Sequence, residues 1–60
     1  MSDTLDGLIN RKVVIYCGRY RYYVIVFAIC HNYIKGIEVS TGHIKTFNLN
    51  RIDYIEDILP

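Results

Sequence analysis

The sequence predicts a mainly β fold, a small five-stranded barrel preceded by a short helix. Three observations carry this reading. Tyr22–Cys30 is nine residues without a charge, rich in β-branched and aromatic side chains, which is the length of a long strand and too short to span a membrane as a helix. Turn residues recur every eight to twelve positions between runs of that kind, the spacing expected of consecutive short strands. Finally, 60 residues with 52% hydrophobic content make one domain that is too apolar for disorder. So short a chain buries only about 60% of its unfolded surface.

The elements are expected in the following order. Ser2–Asn10 reads as a short helix: Ser2, Asp3 or Thr4 can cap it, Leu5, Leu8 and Ile9 form one apolar stripe, and Asn10 is its stop. Lys12–Cys17 is the first strand, and Gly18-Arg19 the two-residue turn after it, with glycine supplying positive φ. The central strand covers Tyr20–Cys30, and His31-Asn32 turns the chain. Tyr33–Ser40 is the third strand, where Gly36 marks a bulge or a close backbone approach. Thr41-Gly42 turns again into a fourth strand over His43–Leu49, with Phe47 and Leu49 facing together. A connection of about one turn follows at Asn48–Arg51. A closing strand is expected over Ile52–Glu56, because four consecutive strands leave an edge to be paired; the stripe Ile52, Ile55, Ile58 and Leu59 also fits a helix.

Net charge is +1, but the charges are segregated: all seven Lys and Arg lie between Gly7 and Arg51 with Glu38 as the only acid there, while Asp3, Asp6, Asp53, Glu56 and Asp57 lie outside. A basic body with acidic ends suits an anion-binding face. The start, Met1-Ser2-Asp3, has no signal-peptide pattern, so a cytoplasmic protein with reduced, buried Cys17 and Cys30 is expected. Their spacing matches no metal motif. His31 and His43 lack a serine or cysteine at any motif spacing, and Cys30 and His31 point to opposite sides of an extended chain. The expectation is a protein that is not an enzyme and has no cofactor or metal. The most suggestive stretch is Arg19-Tyr20-Arg21-Tyr22-Tyr23, since guanidinium groups pair phosphates and tyrosine rings stack on bases. Arg19, Arg21 and Tyr22 are its candidate ligand residues.

The entry Leu5–Val13, the Gly18-Arg19 hairpin, the segment Phe27-Ala28-Ile29-Cys30-His31-Asn32 and the pair Asn50-Arg51 together resemble the Sm-like (SH3-like barrel) superfamily. Ala28 stands where that family usually has Asp, and Ile52 where Gly follows the Arg. The run Ile44–Ile52 is similar to the end of WYL domains, which are also Sm-like barrels. The resemblance implies that the loops holding His31, Asn32, Asn50 and Arg51 meet on one face, where His31 stacks on a base, Asn32 reads its edge and Arg51 holds phosphate. Small barrels host many activities, so the resemblance speaks first to fold.

Two functions are expected. The first is an oligomeric, non-catalytic barrel that binds an anionic ligand, RNA or a small nucleotide, in a regulatory role. The alternative is a protein-interaction module, such as a small phage-type inhibitor or adaptor, that grips a protein partner through a strand edge. Self-association as a dimer or small ring, with no membrane partner, is expected because the central strand is apolar on both parities while a barrel has one interior. Tyr23, Ile25, Val26 and Phe27 are the expected interface.

Overall fold

The computed structural model describes residues 7–58. Five strands form one antiparallel sheet: β1 (Lys12–Cys17), β2 (Tyr20–Ile29), β3 (Tyr33–Glu38), β4 (Ile44–Asn48) and β5 (Tyr54–Asp57). Their order across the sheet is β4-β3-β2-β1-β5. A single 3-10 turn, Leu49–Arg51, links β4 to β5. No helix among the described residues is long and apolar enough to cross a membrane.

Local chemistry fixes the turns. Gly18 sits at φ 61° in the β1–β2 turn and Gly42 at φ 78° between β3 and β4, the left-handed region that a side chain disfavours. Asn10, at φ 68°, is the non-glycine residue type that best tolerates this region. The helix expected over Ser2–Asn10 is not seen: its first five residues lie outside the described span, Gly7-Leu8 make a 3-10 turn, and Ile9-Asn10 are a plain turn. Asn10 donates its backbone N–H to the Val26 carbonyl and Val26 donates to Arg11, so the entry segment continues the β1–β2 pairing. Leu8 and Ile9 still pack against the core, as their stripe implies.

Alternation decides what is inside. Val13 and Ile15 of β1, Val24 and Val26 of β2, Ile34 of β3 and Phe47 of β4 form one buried cluster, with Leu49, Ile52 and Ile55 packed against it. Residues from β4 and β5, at opposite ends of the strand order, thus share one core, which requires the sheet to curl around it. Five of these side chains are fully buried, each contributing roughly 1.5–3 kcal/mol by leaving water. The curl is helped by a bulge: the β2–β3 register shifts between Val26 and Ala28, leaving Phe27 unpaired and sharpening the local twist. Gly36 is the close approach opposite it. A Cβ there would lie 3.0 Å from the Ile25 carbonyl oxygen and 3.2 Å from the Val24 Cβ.

The barrel is not closed. β5 pairs with β1, and β4 pairs only with β3, so the sheet ends in two edges. The physical reason lies in the connection. Asn48 caps the 3-10 turn by accepting the Asn50 backbone N–H at 3.0 Å, and the chain leaves Ile52 extended, which carries it away from β4 to the far side of β1. The last strand is also shorter and later than Ile52–Glu56, and the third and fourth strands stop at Glu38 and Asn48. At the β1–β5 edge, docking is polar. The Asp53 backbone N–H donates to Tyr16 (2.8 Å), and the Asp53 carboxylate accepts the Gly18 N–H (2.8 Å). Tyr16 and Tyr54 stack with ring centroids 4.3 Å apart, and Arg11 pairs with Asp57 at 3.0 Å. The Tyr16 hydroxyl donates to the Glu56 carboxylate at 2.9 Å. That hydrogen bond, then burial and the carboxylate's charge, hold the Tyr16 phenol above its ordinary pKa of 10.0.

Two outcomes follow from this packing. Gly36→Ala destabilises the fold by about 1–3 kcal/mol in urea unfolding, since the carbonyl it meets is backbone and cannot rotate away; an unchanged or raised midpoint would show that β3 has room to move. For Tyr16 the sign is fixed by linkage. A phenol whose folded pKa exceeds its unfolded value contributes stability that is complete below the unfolded pKa and is lost as pH rises through the folded one. Urea midpoints measured upward from neutral through alkaline pH therefore fall less for Tyr16→Phe than for the parent chain, and superimposable losses would remove Tyr16 from the account.

Candidate ligand cleft

On β2 the parity that faces the core ends, near the β1–β2 turn, in Tyr22 and Tyr20. Tyr22 is half-buried and its ring meets Phe47 at 5.3 Å between centroids, tilted by 57°. Tyr20 lies 6.5 Å from Tyr22 and is 67% exposed, so it presents a free ring face. Across the opening, alternation on β4 puts Lys45 on the same side as Phe47. Its ammonium is 5.7 Å from the Tyr22 ring centroid and 3.5 Å from a Glu38 oxygen, so both the ring face and the carboxylate attract it. Arg51, last residue of the 3-10 turn, reaches the same opening and makes no ion pair among the described residues.

These side chains, with Cys17, Thr46 and Asn48, line a cleft of about 500 Å³. It exists because β4 and β5 do not meet: the core side is left open at the end where Tyr20, Tyr22 and the 3-10 turn converge. Its floor is aromatic and its lip cationic. No group of three or more His, Cys, Asp and Glu able to hold a metal occurs among the described residues. Cys17 and Cys30 are both free, but they are not buried as expected: Cys17 is half-buried at the end of β1 and Cys30 is exposed beyond the end of β2. Burial, with a smaller push from the Asp53 carboxylate, moves the Cys17 thiol up, which disfavours the reactive thiolate. Cys17 therefore serves as an apolar wall. What the arrangement can do is stack a planar ring and pair its charge.

Of the residues expected to bind ligand, Tyr22 and Arg51 line this cleft; Arg19, Arg21, His31, Asn32 and Asn50 do not. Arg19 sits in the β1–β2 turn. Arg21 points to the opposite side of the sheet, paired in register with Tyr16. The turn His31-Asn32 does come beside the 3-10 turn, because Leu49 donates its backbone N–H to the Asn32 carbonyl at 3.0 Å, but both side chains are exposed outside the cleft. Asn50 serves the cap of that turn. Tyr20, Lys45 and Phe47 were not singled out as ligand residues. The alternation Ile44-Lys45-Thr46-Phe47 held the signal for Lys45, since it shares the parity of a core residue. Among the expected interface residues, Tyr23, Ile25 and Phe27 lie on the outer side of β2, whereas Val26 is fully buried in the core and takes no part in a surface.

No protein-family model, no curated protein and no solved structure matches this chain; the residues of the cleft carry the functional reading by themselves.

Proposed function

We propose that the protein is a non-catalytic binding module whose cleft takes a nucleobase together with its phosphate, as part of single-stranded RNA or as a small nucleotide. The observation that carries this is the juxtaposition of the Tyr20 and Tyr22 rings with Lys45 and Arg51 around one opening. Ring stacking tolerates any base because every base has a π face. Arginine offers a planar, permanently charged fork to phosphate, and lysine a point charge. The segregation of all seven cations from most of the acids supplies a long-range field of the matching sign. The opening is at the sheet's edge, so a strand of nucleic acid can enter and leave it, whereas a mononucleotide would occupy it alone.

Fluorescence anisotropy with a labelled single-stranded oligoribonucleotide tests the reading, with a mononucleotide as competitor to separate the two ligand sources. Tyr20→Ala weakens binding by about 1–3 kcal/mol, the usual worth of one stacked base, and its exposed ring makes the variant safe for folding. Arg51→Ala weakens binding and flattens the salt dependence; two phosphate contacts, Lys45 and Arg51, give a log–log slope near −1.4, from about −0.7 per phosphate in single strands. Arg21→Ala, on the opposite side, leaves affinity unchanged. Binding that ignores salt, or equal losses from Arg21 and Arg51, would remove the cleft as the site.

A further inference from the structure

The cleft is bordered by a strand edge as well as by side chains. Four consecutive residues of β4, Lys45, Thr46, Phe47 and Asn48, line it. Alternation puts Lys45 and Phe47 on the core side, whereas Thr46 pairs in register with Lys35 and turns its side chain to the outer side of the sheet. Thr46 therefore reaches the cleft through its main chain. Its two neighbours, Lys45 and Phe47, both meet the Tyr22 ring, so this stretch of main chain runs beside the aromatic floor.

The hydrogen-bond phase of the ladder fixes where that main chain points. Glu38 donates its N–H to the His43 carbonyl at 2.8 Å, and Leu49 donates to the Asn32 carbonyl at 3.0 Å. Hydrogen-bonded and non-hydrogen-bonded pairs alternate along an antiparallel ladder, so Lys45 and Phe47 are the residues of β4 that bond to β3. The other edge of β3 agrees. Val39 donates to the Tyr23 carbonyl and Cys30 to the Tyr33 carbonyl, so the odd-numbered residues of β3, Lys35 among them, bond to β2. The N–H and C=O of Thr46 thus point away from β3, and β4 is the last strand on that side. They are a donor and an acceptor left open to a partner.

The number of such groups selects the occupant. A peptide strand needs a run of edge residues. Here Ile44 does not line the cleft, and Asn48 is the cap of the 3-10 turn. Among the described residues, Thr46 is the one that offers both groups to the opening. One donor next to one acceptor, beside a stacking ring, matches the pairing edge of an unstacked nucleobase.

We infer that the main chain of Thr46 reads the pairing edge of the base held in the cleft, so that the protein takes unpaired bases and rejects paired ones. This rests on the cleft being a nucleobase site and adds how the base is recognised. Stacking on Tyr20 accepts any ring; the strand edge admits a ring whose pairing groups are free.

Anisotropy with a short oligouridylate, its 3-methyluridine and 5-methyluridine counterparts, and the same strand annealed to oligoadenylate tests this. The 3-methyl group replaces the N–H that meets the Thr46 carbonyl; the 5-methyl group lies off the pairing edge. The 3-methyl strand binds about tenfold more weakly, the worth of one net hydrogen bond. The 5-methyl strand binds like the parent strand, and the duplex does not compete. Thr46→Pro removes an N–H that β3 does not use, at an edge where proline is tolerated. That variant keeps the circular dichroism of the parent chain and loses about tenfold for oligouridylate. It loses nothing further for the 3-methyl strand, because both changes break the same pairing. Thr46→Val, altered on the outer side, binds as the parent does. Equal affinity for the 3-methyl strand overturns the inference, as does a duplex bound as tightly as the single strand, or a loss from Thr46→Val equal to that from Thr46→Pro. The methylated strands decide the matter on the parent chain even where Thr46→Pro unfolds. If Tyr20→Ala and Arg51→Ala weaken binding while methylation does not, the edge reading falls and the cleft stands; a chain that binds no strand overturns both.

Discussion

The structure depends on one strand that must satisfy neighbours in four directions. β2 is hydrogen-bonded to β1 on one edge and β3 on the other, over ten residues, and carries apolar side chains on both faces. Backbone pairing fixes its position, because an unpaired buried amide is costly. Its two faces then set different tasks. Val24 and Val26 are fully buried in the core, to which β1, β3 and β4 each contribute one or two aliphatic or aromatic residues. Tyr23, Ile25 and Phe27 are turned outward by the same alternation, and no other element of the described chain folds back over them.

The open edge and the cleft are two aspects of one geometry. A sheet that closed between β4 and β5 would bury Tyr22 and Lys45 behind backbone. The 3-10 turn sends the chain across the end of the sheet to the far side of β1, and Asn48 caps it by accepting the Asn50 backbone N–H. The bulge at Phe27 and the close approach at Gly36 supply the bend that lets β4 reach the common core without meeting β5. In this way two local features, an asparagine cap and a glycine without a Cβ, leave an aromatic-floored opening with cations at its lip.

The two sides of the sheet also differ in how their charges are held. On the core side Lys45 is placed by Glu38 and by the Tyr22 ring, while Arg51 stays unpaired among the described residues. On the β1–β5 edge the acids are occupied: Asp53 by the Gly18 amide, Glu56 by the Tyr16 hydroxyl and Asp57 by Arg11. The acidic end of the chain thus docks the last strand and does not neutralise the cleft. With Glu38 set against Lys45, Arg51 is the cation at the opening that pairs with no acid among the described residues.

Much of the strand layout was legible in the residues. Lys12–Cys17 and Tyr20–Ile29 follow from β-branched content and the Gly18 turn, within a residue at each end, because local propensity and positive-φ chemistry act over a few positions. The single-turn link at Asn48–Arg51 was legible for the same reason. The N-terminal stripe of Leu8 and Ile9 showed which residues touch the core, but Gly7 and Asn10 stop the described part of that stretch from continuing as a helix. Three things needed the tertiary structure. Which parity of β2 faces inward is undetermined when both are apolar; it was decided by the neighbours that β1, β3 and β4 could bring to Val24 and Val26. Whether the fifth strand closes a barrel is set by the path of a three-residue turn, not by hydrophobic pattern. And Tyr22, Lys45 and Arg51 meet from three separate elements, while Arg21, one residue from Tyr22, is carried to the opposite side. Sequence neighbours on a strand part company, and distant residues converge, because a strand alternates its side chains and only pairing decides which side is shared.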